Sequence, residues 1–293
     1  MIVSEFRKPD ILKVINRLLG AKGDIIKVKF SVGERCYEVL VPDDKYWGSI
    51  KDILLNREYE YIPMFHIENL KGKVVIDAGA QVGLYSLIAA IYAKKVISIE
   101  PHPIYYRLLE INRLINNAWN ITPINAAIVG THTEQNVMLY ESTRGSVAII
   151  ISNENLISKC YNVSATTLKI VLEEYIEQED RVMLKIDVEG AEFDIFKTLD
   201  LTLLKHIEGI VGEIHLRSGN FDLITEKLRS AGFQIKYFHL PLIAKSASPR
   251  IELKDLLKLK ILRSIVYSLT SISRFKDRNL IILFAWREPM KGD

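Results

Sequence analysis

The run VVIDAGAQVGLYSLIAAIYAKKVISIEP, from Val74 to Pro101, constrains this chain more than any other. Val74, Val75 and Ile76 are β-branched, as in a buried parallel strand, and the strand ends at Asp77. Gly79 and Gly83 frame a tight turn where a ligand can approach the backbone. Residues 84–92 then read as a helix packed on the sheet. Residues 96–99 are the next strand, and Glu100 sits at its tip. A carboxylate there, about twenty residues past the turn, is placed to accept both hydroxyls of a ribose.

The spacing Asp77-x-Gly79-x-x-x-Gly83 departs from the G-x-G-x-x-G of dinucleotide sites, because Gln81 stands where that fingerprint has its second glycine. An acid ahead of the turn repels a pyrophosphate. It suits a cofactor with a cationic amino-acid end. The expected cofactor is therefore S-adenosylmethionine rather than NAD. A ligand-free βαβ unit is the plain alternative. The coincidence of polar features at adjacent strand ends argues against it.

From residue 73 onward strands and helices alternate. Strands are expected at 73–77, 96–100, 121–127, 181–187, 207–216, 233–240 and 280–286, and helices at 105–117, 167–177, 191–199 and 221–231. Thr166 or Thr167 caps the second of those helices and Gly232 closes the last. Segments 136–140 and 146–150 read as a small hairpin. This alternation predicts an α/β protein with a doubly wound sheet and helices on both faces. Residues 1–70 read as an accessory N-terminal segment ahead of a main domain over 71–293. That segment is expected to hold a helix over 10–19, a hairpin around Val32-Gly33-Glu34, and a helix over 49–61.

Bulk properties narrow the class. The 293 residues are 48% hydrophobic and 26% charged, as in a soluble globular protein. A net charge of +3 is too small to argue for nucleic acid. Cys36 and Cys160 form no C-x-x-C or Cys/His cluster, which fits a reducing compartment and no structural zinc. The N-terminus lacks the apolar core of a signal peptide, and no run approaches the roughly 18 apolar residues of a membrane span. The expectation is a cytoplasmic protein.

Three segments carry a family resemblance: VVIDAGAQVGLYS (74–86), ISIEPHP (97–103) and LKIDVEGAEFDIF (184–196). NAAIVG (125–130) and EIH (213–215) support it in order and spacing. On these residues the chain resembles the FkbM family of S-adenosylmethionine-dependent methyltransferases, over roughly residues 50–240. The resemblance implies a Rossmann-like class I methyltransferase sheet of seven strands with the last antiparallel. It also implies O-methylation of hydroxyls on sugars, glycolipids and polyketide-like metabolites. By the same resemblance, Asp77, Gly79, Ala80 and Gly83 would hold the methionine part of the cofactor. Glu100 would take the ribose, while His102, Asn125 and Ala126 would border the adenine. For Asn125 the competing reading is a strand-end cap.

The run Lys185 to Glu192 supplies the catalytic candidates. Strand alternation puts Lys185, Asp187 and Glu189 on one side, and such groups are costly to bury without partners. Lys185 can offset the acids. Asp187 would lie beside the cofactor's methyl, and Glu192 in the first helical turn is favoured by the helix dipole. Methyl transfer to a hydroxyl needs alignment and a sink for one proton. Asp187, Glu189 and His215 are the candidate bases, since a histidine titrates near neutrality. A divalent ion held by Asp187, Glu189, Glu213 and His215 is the alternative, with the metal-free reading preferred.

About forty residues separate the last two strands, and this insert, 241–279, is rich in cations. It is expected to contain a helix over 251–269. It reads either as a solvated face or as a lid drawing an anionic, glycan or lipid-linked acceptor, with peripheral membrane contact. An RNA methyltransferase and a non-catalytic cofactor-binding or scaffolding protein are the competing functions. Nucleic acid is not the expected partner, because no separate RNA-binding motif is present.

Overall fold

A computed structural model describes residues 3–6, 25–32, 34–42, 47–131, 135–142, 147–148, 157–239 and 279–287. The expected helices over 10–19 and 251–269, and nearly all of the basic insert, lie outside the described residues.

The centre is a seven-stranded sheet. Its parallel core consists of β4 (Val74–Ala78), β5 (Lys95–Ile99), β6 (Ile121–Ile124), β11 (Val182–Ile186) and β12 (Ile207–His215). β13 (Gln234–His239) and β14 (Leu280–Trp286) complete it, in the order β13-β14-β12-β11-β4-β5-β6. β14 runs antiparallel to both of its neighbours. This is the class I methyltransferase arrangement. β4, β5, β11 and β14 are almost continuously buried, which is why they read as unbroken apolar runs.

Each face of the sheet has its own core. Val74, Ile76, Leu184, Ile210 and Leu283 pack on one side, against α4 (Leu168–Tyr175), α5 (Glu192–Thr198) and α7 (Phe221–Ser230). A short α6 (Leu201–Leu204) lies between α5 and β12. Val75, Met183, Val211 and Phe284 point the other way. They meet α2 (Leu84–Ala89), α3 (Pro103–Ile115) and the N-terminal segment. That segment comprises β1 (Val3–Phe6), the hairpin of β2 (Ile25–Val32) and β3 (Arg35–Pro42), and α1 (Trp47–Ile50). Two α3 side chains dock the hairpin. Asn112 accepts from Leu40 N at 2.7 Å and donates to Leu40 O at 3.0 Å and Val82 O at 2.8 Å; Asn116 pairs with Glu38 in the same way.

Three expectations need correction. The helix over 49–61 ends early: α1 continues as one wide π-type turn, Lys51–Leu55, and Arg57 then adopts φ 49°. Short 3₁₀ turns follow at Glu58–Glu60, Pro63–Phe65 and Ile67–Leu70. Pro63 opens one of them, and the Glu60 carboxylate satisfies Ile67 N at 3.0 Å. The strand over 121–127 is two. β6 stops at Ile124, and β7 (Ala127–Val129) leaves the sheet to pair with β10 (Ile157–Thr167). Pro123 is tolerated because β6 is an edge strand. The hairpin near 136–150 is present as β8 (Asn136–Ser142) with β9 (Val147–Ala148), but β10 beside β8 had no counterpart in the sequence reading. Among the described residues no helix is long and apolar enough to cross a membrane.

Candidate active site

The parallel strands end on one rim, and the turn from β4 to α2 occupies its middle. Gly79, Gln81 and Gly83 have φ of 78°, 51° and 82°. Gly79 N and Ala80 N both donate to Ile99 O at 3.0 Å, which seats the turn on β5. A Cβ on Gly79 would stand 1.8 Å from the Asp187 carbonyl oxygen, and one on Gly83 2.3 Å from Leu109 Cδ1. Glycine at 79 is thus required by the end of β11, and glycine at 83 by α3.

Asp77 lies beneath the turn, fully buried. Ser86 Oγ donates to its Oδ2 at 2.6 Å, Ser98 Oγ donates to Ser86 Oγ at 2.7 Å, and Lys185 Nζ stands 3.1 Å from its Oδ1. Its carboxylate therefore ties β4 to α2 and β11. Glu100 is held at the tip of β5 by two backbone donors, Gln81 N to Oε2 at 2.8 Å and His102 N to Oε1 at 2.7 Å. Burial raises its carboxyl to about 7, with those two bonds only partly offsetting the effect. Asn125 Nδ2 donates to Glu100 O at 2.8 Å and Pro101 O at 3.2 Å, so its amide acts as a strand-end clasp. His102 is buried and stacks on Tyr105 with ring centroids 4.1 Å apart; Ala126 is buried beside β7.

The other half of the rim comes from β11, β12 and the loop into α5. Lys185 Nζ donates to Gly79 O at 2.9 Å and lies 5.5 Å over the Tyr59 ring. Burial lowers its ammonium, but Asp77 and Asp187 more than offset this and hold it above its ordinary value. Asp187 N donates to Ala78 O at 3.0 Å. Its carboxyl is raised by burial, with Lys185 and His215 acting against the rise. Glu213 is driven well above the usual carboxylate range by burial and then by Asp187. Glu189, at φ 53°, projects from the loop and is 39% exposed.

Glu192 organises that loop. It is fully buried, and its Oε1 accepts from Val188 N and Gly190 N at 3.2 Å each. The same oxygen lies 3.0 Å from His215 Nδ1, while His215 Nε2 lies 3.5 Å from Glu189 Oε2. Burial alone would lower the imidazole, yet the Glu192 hydrogen bond and the surrounding acids push it up to about 10. The surroundings of His215 therefore favour its protonated form.

Lys185, Asp187, Glu189, Glu213 and His215 are thus brought together, with Asp77 below them. Glu100, His102, Asn125 and Ala126 gather at the far end of the turn. A cleft, partly open to solvent, has Gly79, Ala80 and Gln81 on one side and Lys185, Asp187 and Glu213 on another. Its remaining wall is the N-terminal segment, through Asp52, Glu58 and Tyr59. Those three residues were missed. Tyr59 OH donates to Glu213 Oε1 at 3.4 Å. Glu58 is 4% exposed. In the sequence Glu58 and Tyr59 sit in a charged run, REYEY, that looks like a solvated face, and Asp52 lies ahead of it.

Comparison with known proteins adds a family. A model described as the methyltransferase FkbM domain matches residues 77–235, more than half of the chain. Methyltransferase 1 of Beauveria bassiana (strain ARSEF 2860) is 22% identical over 207 residues, which cover 63% of this chain and 80% of that protein. Methyltransferase sdnD of Sordaria araneosa is 26% identical over 212 residues, covering 58% and 78%. Among solved structures, the fibrillarin pre-rRNA processing protein of Methanococcus jannaschii aligns over 98% of this chain and 95% of its own, at 14% identity and a TM-score of 0.42.

Proposed function

This chain belongs to the FkbM methyltransferase family, and we propose that it is an S-adenosylmethionine-dependent O-methyltransferase acting on a hydroxyl of a sugar, glycolipid or other small metabolite. The observation that carries the reading is the cleft where the 79–81 turn meets Asp187 and Glu213 at the carboxyl ends of β4, β11 and β12. Open α/β sheets bind ligands outside the carboxyl ends of their strands.

The residues present fit the cofactor. Each Glu100 oxygen takes one backbone donor and keeps lone-pair capacity for a ribose hydroxyl. Glu100 and the 79–83 turn would hold the nucleoside and the methionine part. When bound, the cofactor supplies an electrophilic methyl on a sulfonium whose departure as a neutral thioether needs no acid. The protein's tasks are then to align the acceptor and to take its proton. Asp187 is our proton acceptor, since it lines the cleft beside the 79–81 turn and burial raises its carboxyl. Lys185 holds the turn through Gly79 O and balances Asp77. Asp52, Glu58 and Glu213 offer acceptors to the neighbouring hydroxyls of a polyol.

The test is incubation of glycan, lipid and RNA fractions with the protein and methyl-labelled cofactor, read by mass. Replacement of one hydroxyl hydrogen by the labelled methyl, on a glycan or small metabolite, is the mass change expected. Label appearing in RNA alone would overturn the acceptor class. Failure to bind S-adenosylhomocysteine in calorimetry would overturn the cofactor.

A further inference from the structure

Charge in the cleft does not balance. Among the described residues lining it, Asp52, Glu58, Asp187 and Glu213 are acids, and Lys185 is the one cation. Lys185 is already engaged by Asp77 and Gly79 O, and His215 beside the cleft is engaged by Glu192. Glu58 is 96% buried and makes no hydrogen bond or ion pair within the described structure. Isolated buried carboxylates are strongly unfavourable without a partner.

One ligand atom from each of Asp187, Glu213 and His215 lies within 4.8 Å of the other two. Their backbones are fixed by adjoining strands, since Asp187 follows β11 while Glu213 and His215 are alternate residues of β12. His215 also has the partner a metal-binding histidine uses: Nδ1 faces the buried Glu192 carboxylate at 3.0 Å, which sets the ring, while Nε2 lies 3.5 Å from Glu189 Oε2. Glu189, the fourth ligand expected from sequence, is outside this set.

We propose that Asp187, Glu213 and His215 bind one divalent cation, with Glu58 as the nearby buried acid that adds negative charge to its site. Two carboxylates and one imidazole suit a first-row ion such as Mn²⁺ better than Ca²⁺, which prefers an all-oxygen shell. Binding displaces the imidazolium proton, as for any histidine ligand. A carboxylate bound through one oxygen keeps the other for an acceptor proton, so the role of Asp187 in methyl transfer is compatible with the ion. The site itself rests on geometry and not on the proposed reaction.

The experiment uses Mn²⁺ as the probe and the full chain after treatment with chelator. Loss of the free Mn²⁺ electron paramagnetic resonance signal gives stoichiometry and affinity, and a thermal melt with and without Mn²⁺ gives an independent readout on the unmutated protein. One ion per chain and a raised Tm are expected. Affinity should fall roughly tenfold or more in Asp187→Asn and in Glu213→Gln, while Asp52→Asn, an acid of the same cleft outside the set, keeps it. No uptake at about 1 mM Mn²⁺ overturns the site, as does an equal loss in Asp52→Asn. S-Adenosylhomocysteine affinity measured on the same samples stays separate: its retention alongside absent Mn²⁺ uptake overturns the ion and leaves the cofactor reading standing.

Discussion

The two ends of the strand rim solve the same problem differently. At the β4–β5 end three polar groups are each answered by neighbours: Asp77 by Ser86 and Lys185, Glu100 by Gln81 N and His102 N, Asn125 by two carbonyls. At the β11–β12 end acids crowd together, and burial raises Asp187, Glu213 and Glu58 alike. A satisfied network is rigid and built ahead of its ligand. A crowded one spends folding stability on a surface that only a ligand completes.

The contrast breaks most severely at the joint between the halves. Gly79→Ala puts a methyl into the Asp187 carbonyl at a φ of 78°, so backbone must move. We expect a loss on the order of 4 kcal/mol in urea unfolding; a loss under about 1 kcal/mol, the range of ordinary glycine replacements, would mean the halves are not in contact. Asp187→Asn keeps the fold and the affinity for S-adenosylhomocysteine, and lowers turnover on the labelled acceptor about 100-fold or more. Near-normal turnover would remove Asp187 from the chemistry and reduce the acid end to a binding surface.

The cofactor end is sharpened by pH. A protonated Glu100 loses acceptor capacity for ribose hydroxyls, and its carboxyl in the fold is raised to about 7. Affinity for S-adenosylhomocysteine should therefore climb as pH rises toward 7 and level off above it. Glu100→Ala should cost about 1.5–3 kcal/mol of that affinity and flatten the profile. Calorimetry between acidic and mildly alkaline pH checks both, and an unchanged profile in the variant would assign the titration elsewhere.

The smallest effect has the opposite sign. Glu58 has a folded-state carboxyl raised well above 4.5, chiefly by burial and then by Glu213. Its contribution to stability is lost as pH rises from the unfolded value toward the folded one. Glu58→Gln should then stabilise the metal-free protein at neutral pH, on the order of 1 kcal/mol or about 2–4 °C in Tm. The gain should vanish in acid, where both states are protonated. Destabilisation at neutral pH would show that the acid end is satisfied after all.

Which parts were legible follows from the same contrast. β4, β5, β11 and β14 were readable within a residue because buried parallel and central strands are written as apolar runs between turn residues. The position of Glu100 and the 185–192 run at strand ends was readable because the apolar runs before them are unbroken. Asp77 was found, but its burial under the turn depends on Ser86, Ser98 and Lys185 arriving from three other elements. Glu58 and Tyr59 were not readable. They reach the cleft through non-periodic 3₁₀ turns set by Arg57 and Pro63, and no spacing rule carries such a path. Glu192 looked like a residue placed for the helix dipole, and its grip on His215 crosses from the first turn of α5 to the end of β12.

The contact of Gly79 with the Asp187 carbonyl has a consequence for engineering. Grafting a different acceptor half onto this cofactor half by cutting between β4 and β11 would separate two backbones shaped to each other, so the junction would transplant poorly. The N-terminal wall offers a better place to diversify. Asp52, Glu58 and Tyr59 line the cleft from short turns outside the sheet. A library confined to them can change what is recognised while the strand ends that hold the chemistry stay fixed.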